Sequence, residues 1–141
     1  MAALAAFDAQ GRRVNIWACP AQIAAQLQPL GIEHGRWPLR ELGDGSLLAV
    51  QTAYAEELQA LSARLTVQSM DRVQLRPGHS GWPALRQQFL SEHTHDDAEI
   101  RYFLDGAGLF YVRLDDGGAL GLLCEAEDWV AIPAGTRHWF D

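Results

Sequence analysis

The sequence predicts a mainly β domain, an antiparallel sandwich or barrel, flanked at its N-terminus by helices. Two observations predict it. After Phe89, short apolar runs recur between Gly/Asp turns, as short antiparallel strands require. Before Leu65, apolar residues recur at helical spacing instead. At 141 residues the chain is one domain, 1–141, divided into a helical flank (1–65) and a β-core (66–141). The 48% apolar content and five Trp exclude a disordered chain.

Ala2 to Phe7 reads as a first strand, turning at Gln10-Gly11 into a second at Val14–Trp17. Pro20 opens a helix carried by Ile23, Leu27 and Leu30, which Gly31 stops. Ile32 to Leu39 is expected to be extended, with a turn at Gly43-Asp44-Gly45. A second helix is predicted from Thr52 to Leu65. Tyr54, Leu58, Leu61 and Leu65 form its stripe, and Glu56-Glu57 favour its positive end. From Thr66, Val67, Val73 and Leu75 lie among polar residues, Pro77-Gly78 turns, and a short helix follows from Pro83 to Phe89. Strands are then expected at Ile100–Leu104, Leu109–Leu114, Leu120–Cys124 and Trp129–Ile132. Phe103, Phe110, Trp139 and Phe140 are expected to wall the interior.

Charge narrows the partners. A net charge of −7 disfavours nucleic acid and anionic membranes, which want basic surfaces. No apolar run approaches the roughly 20 residues of a membrane span. The N-terminus lacks the basic start of a signal peptide, so the cytoplasm is the expected compartment. Cys19 and Cys124 have no metal or redox spacing and read as buried, reduced thiols. His34 and His79 read as surface or loop residues.

The chemistry lies in FLSEHTHDDAEIR, residues 89–101. His93, His95, Glu99 and Arg101 have equal parity, so an unbroken strand points all four to one face. Later, Pro133 and Gly135 set a turn ahead of His138, which a neighbouring strand can bring back over His95. Three imidazoles and a carboxylate leave open positions on a divalent ion. The set suits iron, nickel, manganese, cobalt or zinc alike. Arg101 is placed to hold anionic charge, its alternative being an ion pair with Asp97 or Asp105. Glu92 has the opposite parity. It is a candidate acceptor for an imidazole N–H, or a catalytic proton acceptor if the strand is bulged.

These two segments resemble the two cupin motifs, HxHxxxE with six residues to Gly106, then PxGxxH. Beyond that, FLSEHTHDDAEIRYFLDGAGLFYVR and EDWVAIPAGTRHWFD resemble the acireductone dioxygenase family of methionine salvage. The resemblance implies a cupin-type double-stranded β-helix (jelly-roll) barrel. It implies one Fe(II) or Ni(II) per chain on His93, His95, Glu99 and His138. The implied substrates are O2 and an acireductone, 1,2-dihydroxy-3-keto-5-methylthiopentene. The Fe form would give 4-methylthio-2-oxobutanoate and formate, and the Ni form methylthiopropionate, formate and CO. Arg101 and Glu92, from the strand-face reading above, are the candidate catalytic residues. Another metal-cupin enzyme, an isomerase or a different dioxygenase, and a non-catalytic ligand-binding cupin are the alternatives. Ala98 stands where family members carry an acid, and Glu127 where the second motif has Gly. The chain ends at Asp141, so the barrel is expected to be incomplete at its C-terminus, its open edge solvated in a monomer or covered in a weak homodimer.

Overall fold

The computed structural model describes residues 2–65, 69–74, 76 and 78–141. The expectations on Thr66, Val67, Leu75 and Pro77 fall outside the described residues. Strand β1 (Ala3–Phe7) and β2 (Arg13–Trp17) form the expected antiparallel hairpin. Its turn closes because the Asp8 carboxylate accepts the amides of Gln10 and Arg12, both at 2.9 Å. Helix α1 (Pro20–Leu27) runs on as a 3-10 turn, Gln28–Leu30, and stops at Gly31, whose φ of 71° only glycine adopts freely. Ile23 and Leu27 are buried, as their spacing requires. Cys19 immediately precedes α1 and is exposed, correcting its predicted burial; Cys124 is buried as expected, and both thiols are free.

The predicted Thr52–Leu65 helix covers the end of one helix and the whole of a second, and the first starts earlier, at Leu47. Ser46 caps α2 (Leu47–Ala53), its hydroxyl accepting the Ala49 amide at 3.2 Å. Helix α3 (Ala55–Arg64) follows, with Glu56 and Glu57 in its first turn. The break is Tyr54, at φ −114° and ψ 26°. Its side chain is fully buried, and tertiary contacts hold the backbone there. The phenol donates to Pro38 O at 2.8 Å, accepts the Arg40 amide at 3.1 Å and lies 3.0 Å from the Tyr102 hydroxyl. A buried phenol needs such partners, and an unbroken helix is not what meets them.

Strand β3 (Glu33–Arg36) lies within the predicted extended stretch, and helix α4 (Trp82–Leu90) runs one residue beyond the predicted Pro83–Phe89 helix at each end. His34 therefore lies within a strand and is mostly buried, not on a surface loop; His79 is exposed in a turn. Strands β4 (Glu99–Tyr102), β5 (Ala107–Arg113), β6 (Ala119–Glu125), β7 (Asp128–Ile132) and β8 (His138–Phe140) complete the described elements. They build two antiparallel sheets, ordered β2-β1-β6-β5-β8 and β3-β7-β4. Phe110 and Val112 point inward on β5 and meet Leu4, Leu122, Val130 and Ile132 in the core between the sheets. Among the described residues no ladder joins the two sheets, and the isolated His93–His138 bridge ties β8 only to the segment before β4, so the barrel is not closed.

Phe103 and Phe140 pack on Phe110 as predicted, with ring centroids 6.1 and 4.8 Å from it. Trp139 does not join them. It stacks on Tyr111 at 5.2 Å on the opposite face of β8, with the Arg113 guanidinium 4.7 Å from its ring. Neighbours on a three-residue strand must point to opposite sides.

Candidate metal centre

The strand that parity assumed across His93–Arg101 is interrupted. Only His93 forms a bridge, the chain bends at Asp96-Asp97, and β4 starts at Glu99. The bend is what allows a shared site. In an unbroken strand His93 and Glu99 would stand roughly 20 Å apart, on one face but beyond any common ion. The second segment locks the first by main-chain bonds. His93 and His138 exchange amide–carbonyl hydrogen bonds, both at 3.0 Å, and the Gly135 amide donates to His95 O at 2.9 Å. Glu99 is held opposite Ile132 on β7.

His93, His95, Glu99 and His138 then converge, with one donor atom from each within 4.8 Å of all the others. His138 Nε2 lies 2.7 Å from Glu99 Oε2, His95 Nε2 lies 3.3 Å from the same oxygen, and His93 and His95 Nε2 are 3.1 Å apart. Ligands about 2.1 Å from one ion are separated by about 3 Å when adjacent and about 4 Å when opposite. The donor spacing fits a metal ion.

The imidazoles are aimed by the backbone. His93 Nδ1 is 2.6 Å from Ser91 O, and His138 Nδ1 is 2.8 Å from Thr136 O. In each contact the carbonyl two residues back can only accept, so Nδ1 carries the proton and donates it, leaving Nε2 as a lone pair facing the cluster. His138 Nε2 thereby meets a carboxylate oxygen, two acceptors at contact distance. Such an arrangement calls for a cation between them, a proton or a metal. Burial alone would favour the uncharged Glu99, but the His138 hydrogen bond and the Arg101 charge outweigh it and hold the carboxyl down at about 2. Burial likewise opposes charge on His138, and the Glu99 partnership overrides it, raising its basicity above the usual imidazole value.

Arg101 pairs with neither Asp97 nor Asp105. Its Nε donates to Glu99 Oε1 at 3.1 Å and its Nη1 to Asp71 Oδ1 at 2.7 Å. Glu92 turns away from the cluster, as its parity indicates. Its Oε1 accepts from Arg113 Nε at 3.0 Å and Nη2 at 2.8 Å, and its Oε2 lies 3.7 Å from Arg137. The imidazole acceptors are the Ser91 and Thr136 carbonyls instead. Sequence reasoning had no signal for these, since every residue carries the same carbonyl. It also missed Asp71, a lone acid 28 residues before Glu99.

The sequence model described as "ARD/ARD' family" matches residues 46–141. The acireductone dioxygenase of Synechococcus sp. (strain RCC307) is 43% identical over 123 residues, covering 86% of this chain and 66% of that protein. That of Serratia proteamaculans (strain 568) is 41% identical over 145 residues, covering all of this chain and 80% of that protein. The chain thus spans about two thirds of the length of the cyanobacterial relative. A solved structure, "Acireductone dioxygenase from Bacillus anthracis with cadmium ion in active center", superposes with a TM-score of 0.82. It covers 99% of this chain and 84% of that one at 23% identity, a likeness of fold.

Proposed function

The chain belongs to the ARD/ARD' family, and from that premise we propose that it is a metal-dependent acireductone dioxygenase of methionine salvage. On this reading it cleaves 1,2-dihydroxy-3-keto-5-methylthiopentene with O2. An Fe(II) form yields 4-methylthio-2-oxobutanoate and formate; a Ni(II) form yields methylthiopropionate, formate and CO. Residues 1–141 act as one cupin domain with one ion per chain, in the cytoplasm. The observation that carries the proposal is the convergence of His93, His95, Glu99 and His138 from two distant segments, both inside the family match.

His93, His95 and His138 would hold the ion through Nε2, and Glu99 through Oε2. A bound divalent ion supplies Lewis acidity and open positions for oxygen ligands. The chain supplies the rest. Ser91 O and Thr136 O fix the ring orientations, so little freedom is lost when the ligands engage. Arg101 occupies Glu99 Oε1, leaving Oε2 toward the histidines, and brings positive charge beside a site meant for an enediolate. Glu92, held by Arg113 and Arg137, acts in this reading by bracing the approach to His93.

The test is anaerobic loading with Fe(II) or Ni(II), then addition of a desthio-acireductone and air. Loss of the enediol absorbance with a product set that changes with the metal is the expected result. Tight metal binding without turnover would instead mark a ligand-binding cupin and overturn the proposal.

A further inference from the structure

Arg101 is held from both sides. Its Nε bonds Glu99 Oε1, and its Nη1, on the other edge of the guanidinium, bonds Asp71 Oδ1. Asp71 belongs to neither motif segment and lies on the stretch before α4, its side chain 65% exposed. The carboxylate that Arg101 engages is the one whose second oxygen faces His138 and His95. We propose that Asp71 is a positioning residue for the metal centre: it fixes the Arg101 guanidinium, and Arg101 in turn fixes which oxygen of Glu99 is presented to the ion.

The inference rests on the metal-centre reading above and deepens it. A guanidinium donates through a rigid planar fork. Bonded to Glu99 alone, it can still pivot about that contact and take the carboxylate with it. A second carboxylate on its far edge removes the pivot. Exposed ion pairs contribute little to stability by themselves, so the consequence of losing Asp71 is a less well-aimed ligand, not a less stable fold. Partners behind a ligand commonly tune metal affinity by 10- to 100-fold. Asp71 acts one link further out, so its share is smaller, about several-fold.

The test is a competition titration of Ni(II) against a chromophoric chelator, on the full chain, for wild type, D71N, D71E, R101A and the D71N/R101A pair. The expected result is a loss of about 10- to 100-fold for R101A and several-fold for D71N. D71E should recover part of the loss, and the pair should bind no more weakly than R101A alone. Thermal melting of D71N should match wild type. An affinity of D71N equal to wild type overturns the inference. So does a loss of the same size in the R101A background, since independent sites add. Should R101A fail to fold, the D71N loss and D71E recovery decide alone. Wild-type protein that takes up no metal overturns the metal-centre reading and this inference together. Tight wild-type binding with unaffected D71N overturns this inference only.

Discussion

Strand β7 separates two clusters made of the same ingredients. At its start, Asp128 lies beside His34; at its end, Ile132 pairs with Glu99 beside His138. Four steps along the strand put the two ends roughly 13 Å apart. Asp128 is fully buried and its oxygens are occupied, accepting the Glu125 amide at 2.8 Å and Arg36 Nη1 at 3.3 Å. His34 Nε2, 3.6 Å from Asp128, is buried without a hydrogen bond. At the other end three imidazoles and one carboxylate oxygen aim at a shared point. Among the described residues, only that group of three or more donors could hold an ion. The contrast teaches that a histidine near an acid is common structural material. What distinguishes a candidate centre is convergent donors, two of them imidazoles whose Nδ1 protons are donated to carbonyls.

The largest effect should come from His138→Ala, with metal affinity falling by more than about 100-fold, read by metal analysis after gel filtration. His34→Ala should keep full metal stoichiometry; its loss would break the comparison. Next is Asp128→Ala, which removes the buried carboxylate that accepts the Glu125 amide and an Arg36 N–H. It should cost about 3 kcal/mol in denaturant unfolding while the protein still binds metal.

The pH dependence of metal-free protein should then separate the ends by sign. Burial lowers the basicity of His34 below its unfolded 6.5, against the pull of Asp128. Below 6.5 the unfolded chain therefore binds more protons than the folded one. The His34 contribution is complete above 6.5 and is lost as pH falls toward the depressed value. His138 is raised above 6.5, so its contribution is complete below 6.5 and is lost as pH rises through the folded value. His34→Gln should flatten the acid limb of the stability profile and His138→Gln the alkaline limb. The reverse assignment would refute the comparison. With metal present, acid should also strip the ion as the imidazoles protonate.

The smallest effect concerns Glu127, which holds φ at 80° in the turn before β7 while its carboxylate meets Arg36 at 2.7 Å. Glu127→Gly relieves the backbone and gives up two exposed contacts, to Arg36 and to the Leu39 amide. Melting should rise by about 2 °C, with metal affinity unchanged.

Much of this was legible because it is local. Inward Phe110 and Val112 on β5, and the turns at Gly11 and Gly31, follow from alternation and from φ preferences that each residue carries with it. The four donors were legible by residue type and spacing. Other features answer to distant partners. Tyr54 breaks a helix because Pro38, Arg40 and Tyr102 meet its hydroxyl. Trp139 faces Tyr111 because β8 pairs with β5 in that register.

Parity in the first motif singled out His93, His95 and Glu99, which do converge, but through an incomplete geometry. The sequence by itself determined which side chains can bind a cation and that they belong to strand-forming segments. Tertiary structure decided that they meet: the bend at Asp96-Asp97 folds roughly 20 Å of extended chain back on itself, and the His93–His138 bridge closes it. Period and propensity act over a few residues, whereas convergence depends on hydrogen bonds between segments some forty residues apart, set only once both sheets have packed on their core.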